Sequence, residues 1–185
     1  LHKEKASLDF YCTRKQECSS LFYPNRSFLN KFPESERFDV VEKSTLKTDS
    51  LGNQLRSAGV DDVDFIKIDT QGSELAILEG AKNILPQVFG MEIEVEFSEM
   101  YNGQSLFSEV EQFVRRYDFE LFDLKPYYWK RIHGAQYGRT KGQLIFADAL
   151  FLKGAQGLSK YLNGLTDEEQ RKSKLLRAVV VCLLY

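Results

Sequence analysis

The sequence predicts an α/β protein: a layered, largely parallel sheet that ends in an antiparallel strand pair and is followed by helices. Three observations carry that prediction. The first is the short, mainly apolar run Phe65-Ile66-Lys67-Ile68, followed by Asp69, a polar turn with Gly72, and a stretch over 73–85 with apolar residues at Leu75, Leu78, Ala81 and Leu85. Strand, glycine-bearing turn and helix make half of a βαβ unit, and the run is of the kind buried in a parallel sheet. The second is a further strand over 89–97, where Met91, Ile93, Val95 and Phe97 alternate with Glu92, Glu94 and Glu96. The third is a pair of strand-like segments, 119–124 and 143–152, with no helix between them, which favours antiparallel pairing.

Taken in order, residues 8–13 alternate weakly and read as a strand. Residues 18–38 read as loop, broken by Pro24, Asn25 and Pro33. Residues 38–46 suit another strand, and 50–58 a short helix that ends at Gly59. The central strand and helix come next, closed by Pro86. A helix over 106–117 gathers Phe107, Val110, Phe113, Val114 and Tyr117 on one face. Residues 158–162 suit a short helix, and Thr166-Asp167-Glu168-Glu169 is a capping box opening a second one. That last helix runs through Leu175, Leu176, Val179, Val180, Leu183 and Leu184 to Tyr185. Its apolar face either packs on its own domain or meets another copy or partner. The expected division is a main domain over 1–154 and a helical extension over 155–185.

Composition narrows the class. At 185 residues, 43% hydrophobic and 28% charged, the chain suits one globular domain with a sizeable core. A net charge of -2 speaks against a global pull toward nucleic acid or anionic membrane. No apolar run approaches the roughly 18 residues of a spanning helix, and Leu1-His2-Lys3-Glu4 is no signal peptide. Cys12, Cys18 and Cys182 are odd in number and lack metal-ligand spacing, which points to a reducing compartment, the cytoplasm, and to no metal site built on them. The absence of an initiator Met raises the expectation of a piece of a longer chain.

The motif Asp64-Phe65-Ile66-Lys67-Ile68-Asp69-x-x-Gly72-x-Glu74-x-x-x-Leu78-x-Gly80-Ala81 resembles the signature of the FkbM family of methyltransferases. Cys18-Ser19-Ser20-Leu21 with Pro24-Asn25, Glu94-Val95-x-Phe97, Tyr101-x-Gly103-Gln104 and Ala147-Asp148-Ala149-Leu150-Phe151 occur in the order of one branch of that family. The resemblance implies a Rossmann-like class I methyltransferase sheet. It also implies O-methylation from S-adenosylmethionine, with a hydroxyl of a carbohydrate or other polyhydroxylated product as acceptor. In such folds a Gly-rich turn after the first strand grips the donor, because only glycine permits that close backbone approach. None of the 12 glycines here forms a Gly-x-Gly, and no strand–Gly-rich turn–helix unit precedes residue 60. The expectation is therefore an N-terminally truncated methyltransferase domain, or else a chain that has lost its cofactor site.

Asp69 sits where its strand ends, the place where such sheets hold ligands, although an Asp there also serves as a plain helix cap. If Asp69 and Glu94 lie on adjacent strands, their carboxylates converge on one cleft. Like charges held close raise one pKa and give a general base; they also offer oxygen ligands to a divalent cation. Glu74, in the first turn of the next helix, is a third candidate acid, though the helix dipole favours it there regardless of function. Asp69, Thr70 and Gln71 are the expected cofactor contacts. Segment 125–141 carries Tyr127, Tyr128, Trp129 and Tyr137 with Lys125, Lys130, Arg131, Arg139 and Lys141, and no acid. It suits a sugar or phosphate-bearing glycan, single-stranded nucleic acid, or a solvated loop whose rings pack on the sheet. Tyr128, Trp129 and Arg131, with Tyr101 and Gln104, are the expected substrate walls. Asp148, alone in an apolar strand, calls for a cationic partner from that segment. The alternative to an enzyme is a non-catalytic glycan- or nucleic-acid-binding module that docks through its terminal helix.

Overall fold

The structure, a computed structural model, describes residues 1–134 and 141–185; Tyr137 and Arg139 of the basic aromatic segment lie outside them. Strands β1 (Ala6–Thr13) and β2 (Val40–Thr48) pair antiparallel. Between them runs a connection that folds into the short helix α1 (Arg26–Leu29), capped by the Asn25 side chain accepting from the Phe28 amide. Helix α2 (Leu51–Ser57) starts where the Ser50 hydroxyl accepts from the Asn53 amide and stops at Gly59, whose φ of 68° only a glycine adopts freely.

The main sheet consists of β3 (Phe65–Ile68), β4 (Gly90–Glu96), β5 (Phe119–Trp129) and β6 (Gln143–Lys153), in the order β3-β4-β6-β5. β3 and β4 run parallel, and β6 runs antiparallel to both of its neighbours. Helices α3 (Glu74–Glu79) and α4 (Phe107–Arg115) cover one face. There Ile77, Leu78, Val110 and Val114 meet Ile66, Ile68, Met91, Ile93, Val95 and Phe151 in the principal core. Alternation then sends Lys67, Glu92, Glu94 and Asp148 to the other face, with Lys67 paired to Glu92 and Glu94 opposite Asp148. On that face Lys67 is exposed, so the 65–68 run is not buried on both sides along its whole length.

A second, smaller core closes the carboxyl end of the sheet: Leu29, Phe32, Phe38, Met100, Tyr101 and Ile145, with Trp129 and Phe146 against them. Residues 18–38, read as loop from the sequence, thus supply buried side chains to this roof. At the opposite end lie α5 (Ala155–Gly164) and α6 (Glu168–Leu184). Lys174 of α6, 1% exposed, pairs with Asp62 and Asp64 just ahead of β3, and Arg177 pairs with the same two acids. Tyr185 stacks on Phe65 with ring centroids 4.9 Å apart. Leu176, Leu183 and Leu184 face solvent. No described helix is long and apolar enough to cross a membrane.

Three sequence expectations change. The helix after Asp69 is shorter than 73–85, since it caps at Gly80, where a Cβ would stand 2.6 Å from the His2 carbonyl as the N-terminal segment passes. Residues 125–129 are strand, because β5 continues pairing with β6 as far as Trp129 opposite Gln143. The last helix is capped by Asp167, not Thr166: the Asp167 carboxylate accepts from the Glu169 amide at 2.9 Å.

Candidate active site

Where β3 ends, the chain makes a tight turn through Asp69, Thr70, Gln71 and Gly72. Gln71 has φ 58° and Gly72 φ 105°, two left-handed residues in succession. Glycine is favoured at the second because an L side chain is strained at that φ, and a Cβ there would also crowd the Gln104 Cβ at 3.1 Å. At Gln71 the conformation costs about 1–2 kcal/mol for an L side chain, and four contacts offset it. The Ser20 hydroxyl donates to the Gln71 carbonyl at 2.6 Å. The Gln71 amide nitrogen donates to Asp69 Oδ1 at 3.1 Å and to Glu94 Oε1 at 2.6 Å. The Tyr101 hydroxyl is shared between the Cys18 carbonyl at 2.8 Å and Gln71 Oε1 at 3.1 Å. One amide group therefore spends its two N–H bonds on two carboxylates from adjacent strands.

These two acids floor a cavity of about 680 Å³. The hairpin of β1 and β2 forms one wall with Phe10, Leu46, Lys47 and Thr48, and the following segment forms another with Glu17, Ser19 and Leu21. Burial pushes the Glu94 pKa from 4.5 up to about 8, reinforced by the negative charges of Asp69, Glu74 and Asp148, against the opposing hydrogen bond from Gln71. At neutral pH Glu94 is a carboxylic acid beside the Asp69 charge. Burial, followed by the charges of Glu74 and Glu94, also raises Glu96 well above its ordinary value. Its Oε1 has no hydrogen-bond partner among the described residues.

The remaining residues singled out from sequence fall elsewhere. Glu74 is buried under the turn, where its Oε1 accepts from the Thr70 amide at 2.8 Å and the Thr70 hydroxyl at 2.9 Å. Its carboxylate fixes the loop and does not line the cavity. Thr70 and Gln71 do line it. Tyr101 and Gln104 are buried behind Gln71, the Gln104 Oε1 accepting from the Tyr101 amide at 2.6 Å, so they are supports and not walls. Trp129 is drawn into the roof, its ring 5.5 Å from Phe32 and under the Arg37 guanidinium at 4.6 Å. Tyr128 lies on the surface beneath Lys141, and Arg131 donates to Gln143 Oε1 at 2.8 Å. None of these three reaches the cavity, because extension of β5 commits them to the sheet and its roof. Asp148 does find a cation from that segment, Lys125 at 3.6 Å, together with the Tyr127 hydroxyl at 2.9 Å.

Sequence reasoning missed Ser20, which pins the Gln71 turn from 51 residues away, and Lys47, the one cationic side chain among the described lining residues. Ser20 lies inside the Cys18-Ser19-Ser20-Leu21 motif, so a signal was present. Lys47 had none. As for a divalent cation between the acids, the Gln71 N–H donors occupy that place.

The sequence model of the methyltransferase FkbM domain matches residues 1–121. No curated protein and no solved structure matches the chain. The matched span holds Asp69, Gln71, Glu94 and Tyr101, the four residues that build the hydrogen-bonded floor, and takes in well over half of the sequence. The chain belongs to the FkbM methyltransferase domain family.

Proposed function

We propose that this chain transfers a methyl group from S-adenosylmethionine to a hydroxyl of a carbohydrate or other polyhydroxylated acceptor, with the reaction at the cavity floored by Asp69 and Glu94. The strand order β3-β4-β6-β5, with an antiparallel final strand, supports reading residues 1–154 as the distal part of a Rossmann-like sheet and 155–185 as an extension. The cavity's donor set fits one end of the methyl donor. A sulfonium cation suits a site where the carboxylates of Glu17 and Asp69 outnumber Lys47. No described lining residue is a glycine, so these walls do not offer the close backbone approach that a nucleotide half takes. Asp69, Thr70 and Gln71 are thus assigned to the reacting end. When bound, the donor supplies an electrophilic methyl carbon.

The protein's own contribution is position and a proton acceptor. Glu94, once ionised, takes the hydroxyl proton as the oxygen attacks and the carbon–sulfur bond breaks. Asp69 orients the hydroxyl, and the Gln71 amide holds both carboxylates in register. Ser19, Thr48 and Lys47 offer hydrogen bonds to further hydroxyls of the acceptor. The observation that carries this reading is the single amide bridging Asp69 and Glu94 at a cavity floor.

The test is release of S-adenosylhomocysteine from S-adenosylmethionine over a panel of sugars and polyols. Glu94→Gln is expected to lose roughly 10²–10⁴ in kcat through loss of the proton acceptor, and Asp69→Asn to abolish turnover while keeping the fold. Near-normal methylation by Asp69→Asn removes that residue from the mechanism. Because Glu94 titrates at about 8, wild-type kcat/KM should rise tenfold per pH unit below that value and level above it. A flat profile from pH 6 to 9 excludes Glu94 as base. The glycine-free walls favour one other reading, a non-catalytic module; calorimetric silence with S-adenosylhomocysteine, alongside retained affinity for a glycan, would establish it.

A further inference from the structure

A second cavity lies at the opposite end of the sheet, between α5 and the turn that follows α4. It encloses about 390 Å³ and is lined by Arg116, Lys153 and Lys160 against a single acid, Asp118, with Tyr117 and Tyr161 supplying aromatic wall. Lys153, the last residue of β6, is half-buried there. Its ammonium donates to the Leu85 carbonyl at 3.2 Å and the Tyr117 carbonyl at 3.1 Å and lies 4.4 Å from the centre of the Phe119 ring. It has no carboxylate partner among the described residues. Among the described residues Arg116 and Lys160 likewise make no ion pair.

A cation removed from water and left without a counter-ion is an unfavourable arrangement, and a second cation alongside worsens it. Here burial lowers the Lys153 pKa to about 8, with the Lys160 charge adding to the effect and Asp118 opposing it. An anion entering the cavity removes that cost. The walls around the cations are largely apolar and aromatic, so they also reward a ligand with an apolar body.

We propose that this cavity binds a small organic anion with an apolar body, its anionic group seated among Lys153, Lys160 and Arg116. The site is separate from the Asp69–Glu94 cavity and shares no lining residue with it. It does not depend on the methyltransferase reading.

Pyridoxal 5′-phosphate tests the site residue by residue, since it carries both an anion and an aldehyde on an aromatic ring. The neutral Lys153 amine attacks the aldehyde carbon, water leaves, and borohydride delivers hydride to the imine, fixing a secondary amine for peptide mass spectrometry. At pH 7.5 and limiting reagent, Lys153 should be modified at least tenfold more than any other lysine. Lys160→Ala and Arg116→Ala, both surface changes, should each cut that modification several-fold without lowering Tm. Modification of Lys153 no greater than that of Lys31 or Lys172, or unchanged in both variants, overturns the proposal and leaves Lys153 as a clamp on two carbonyls. As a competitor, 1-naphthoate should protect Lys153 at concentrations where acetate and inorganic phosphate do not; equal protection by inorganic phosphate overturns the apolar-body assignment.

Discussion

Gln71 performs at residue scale what two separate donors would otherwise have to do. Its two N–H bonds are divided between Asp69 and Glu94, and its carbonyl oxygen meets the Tyr101 hydroxyl, so the side chain cannot rotate without breaking three contacts. Gln71→Ala keeps the strained backbone and removes the donors. The carboxylates then face each other with nothing between them, and the proton on Glu94 becomes harder to remove. The expected outcome is an upward displacement of the midpoint of the kcat/KM–pH profile above about 8, which a merely structural role for Gln71 would not produce. Glu94 carries a stability signature of its own. Its folded pKa of about 8 lies above the ordinary 4.5, so between those values the unfolded chain has released a proton that the folded chain retains. Stability therefore falls as pH rises from 4.5 toward 8, by at most about 5 kcal/mol. Glu94→Gln removes that loss while its side-chain oxygen still accepts from Gln71. Thermal unfolding should show the variant more stable than wild type at pH 8 and little different at pH 4. A difference independent of pH would contradict the assignment.

Among the elements, α6 is held by charge on one side and left apolar on the other. Lys174 is the buried member, set between Asp62 and Asp64 and 5.3 Å from the Phe89 ring, with Arg177 reaching the same acids from the surface. Burial works to raise the Asp62 pKa, yet the hydrogen bonds from Lys174 and Arg177 outweigh it and hold it below 3.8. Lys174→Met keeps the packing under Phe89 and loses the charge. With Asp62 and Asp64 41% and 23% exposed, water recovers part of the loss, so the cost falls short of a fully buried pair, at about 1–3 kcal/mol. Chemical denaturation measures it. Because the folded pKa of Asp62 is depressed, this contribution is present above 3.8 and disappears as pH falls through the folded value. The hairpin of β1 and β2 illustrates a different limit of local reading. Both strands were legible in outline, the first from weak alternation over 8–13 and the second as a strand-like stretch over 38–46, but their partnership, which makes a cavity wall, joins Ala6 to Thr48 across the whole intervening connection.

For the molecule as a whole, the connection between roof and sheet decides whether the site is held rigidly. Trp129 is the chain's one tryptophan and sits in the roof, so its fluorescence reports that layer, while far-UV circular dichroism reports the helices and strands of the entire chain. Tyr101 and Ser20 tie roof to turn through Gln71. The two signals should therefore unfold with one midpoint; a Trp129 transition several degrees lower would mean that the roof melts separately from the sheet. Residues 119–121 are the last of the family match, so β6 and most of β5 are placed by strand pairing and not by the comparison.

What the sequence determined by itself is local. Period-two alternation put Glu92, Glu94 and Glu96 on one side of β4 and the apolar residues on the other, and the run ending at Ile68 put Asp69 at a strand terminus. Both facts depend only on which way consecutive side chains point. The tertiary structure alone decided which groups meet. It turned Glu74 onto Thr70, drew Trp129 into the roof, and set the Gln71 amide between two acids 25 residues apart in sequence. Such contacts follow from strand register and close packing between distant segments, and neither is written in the periodicity of any one of them.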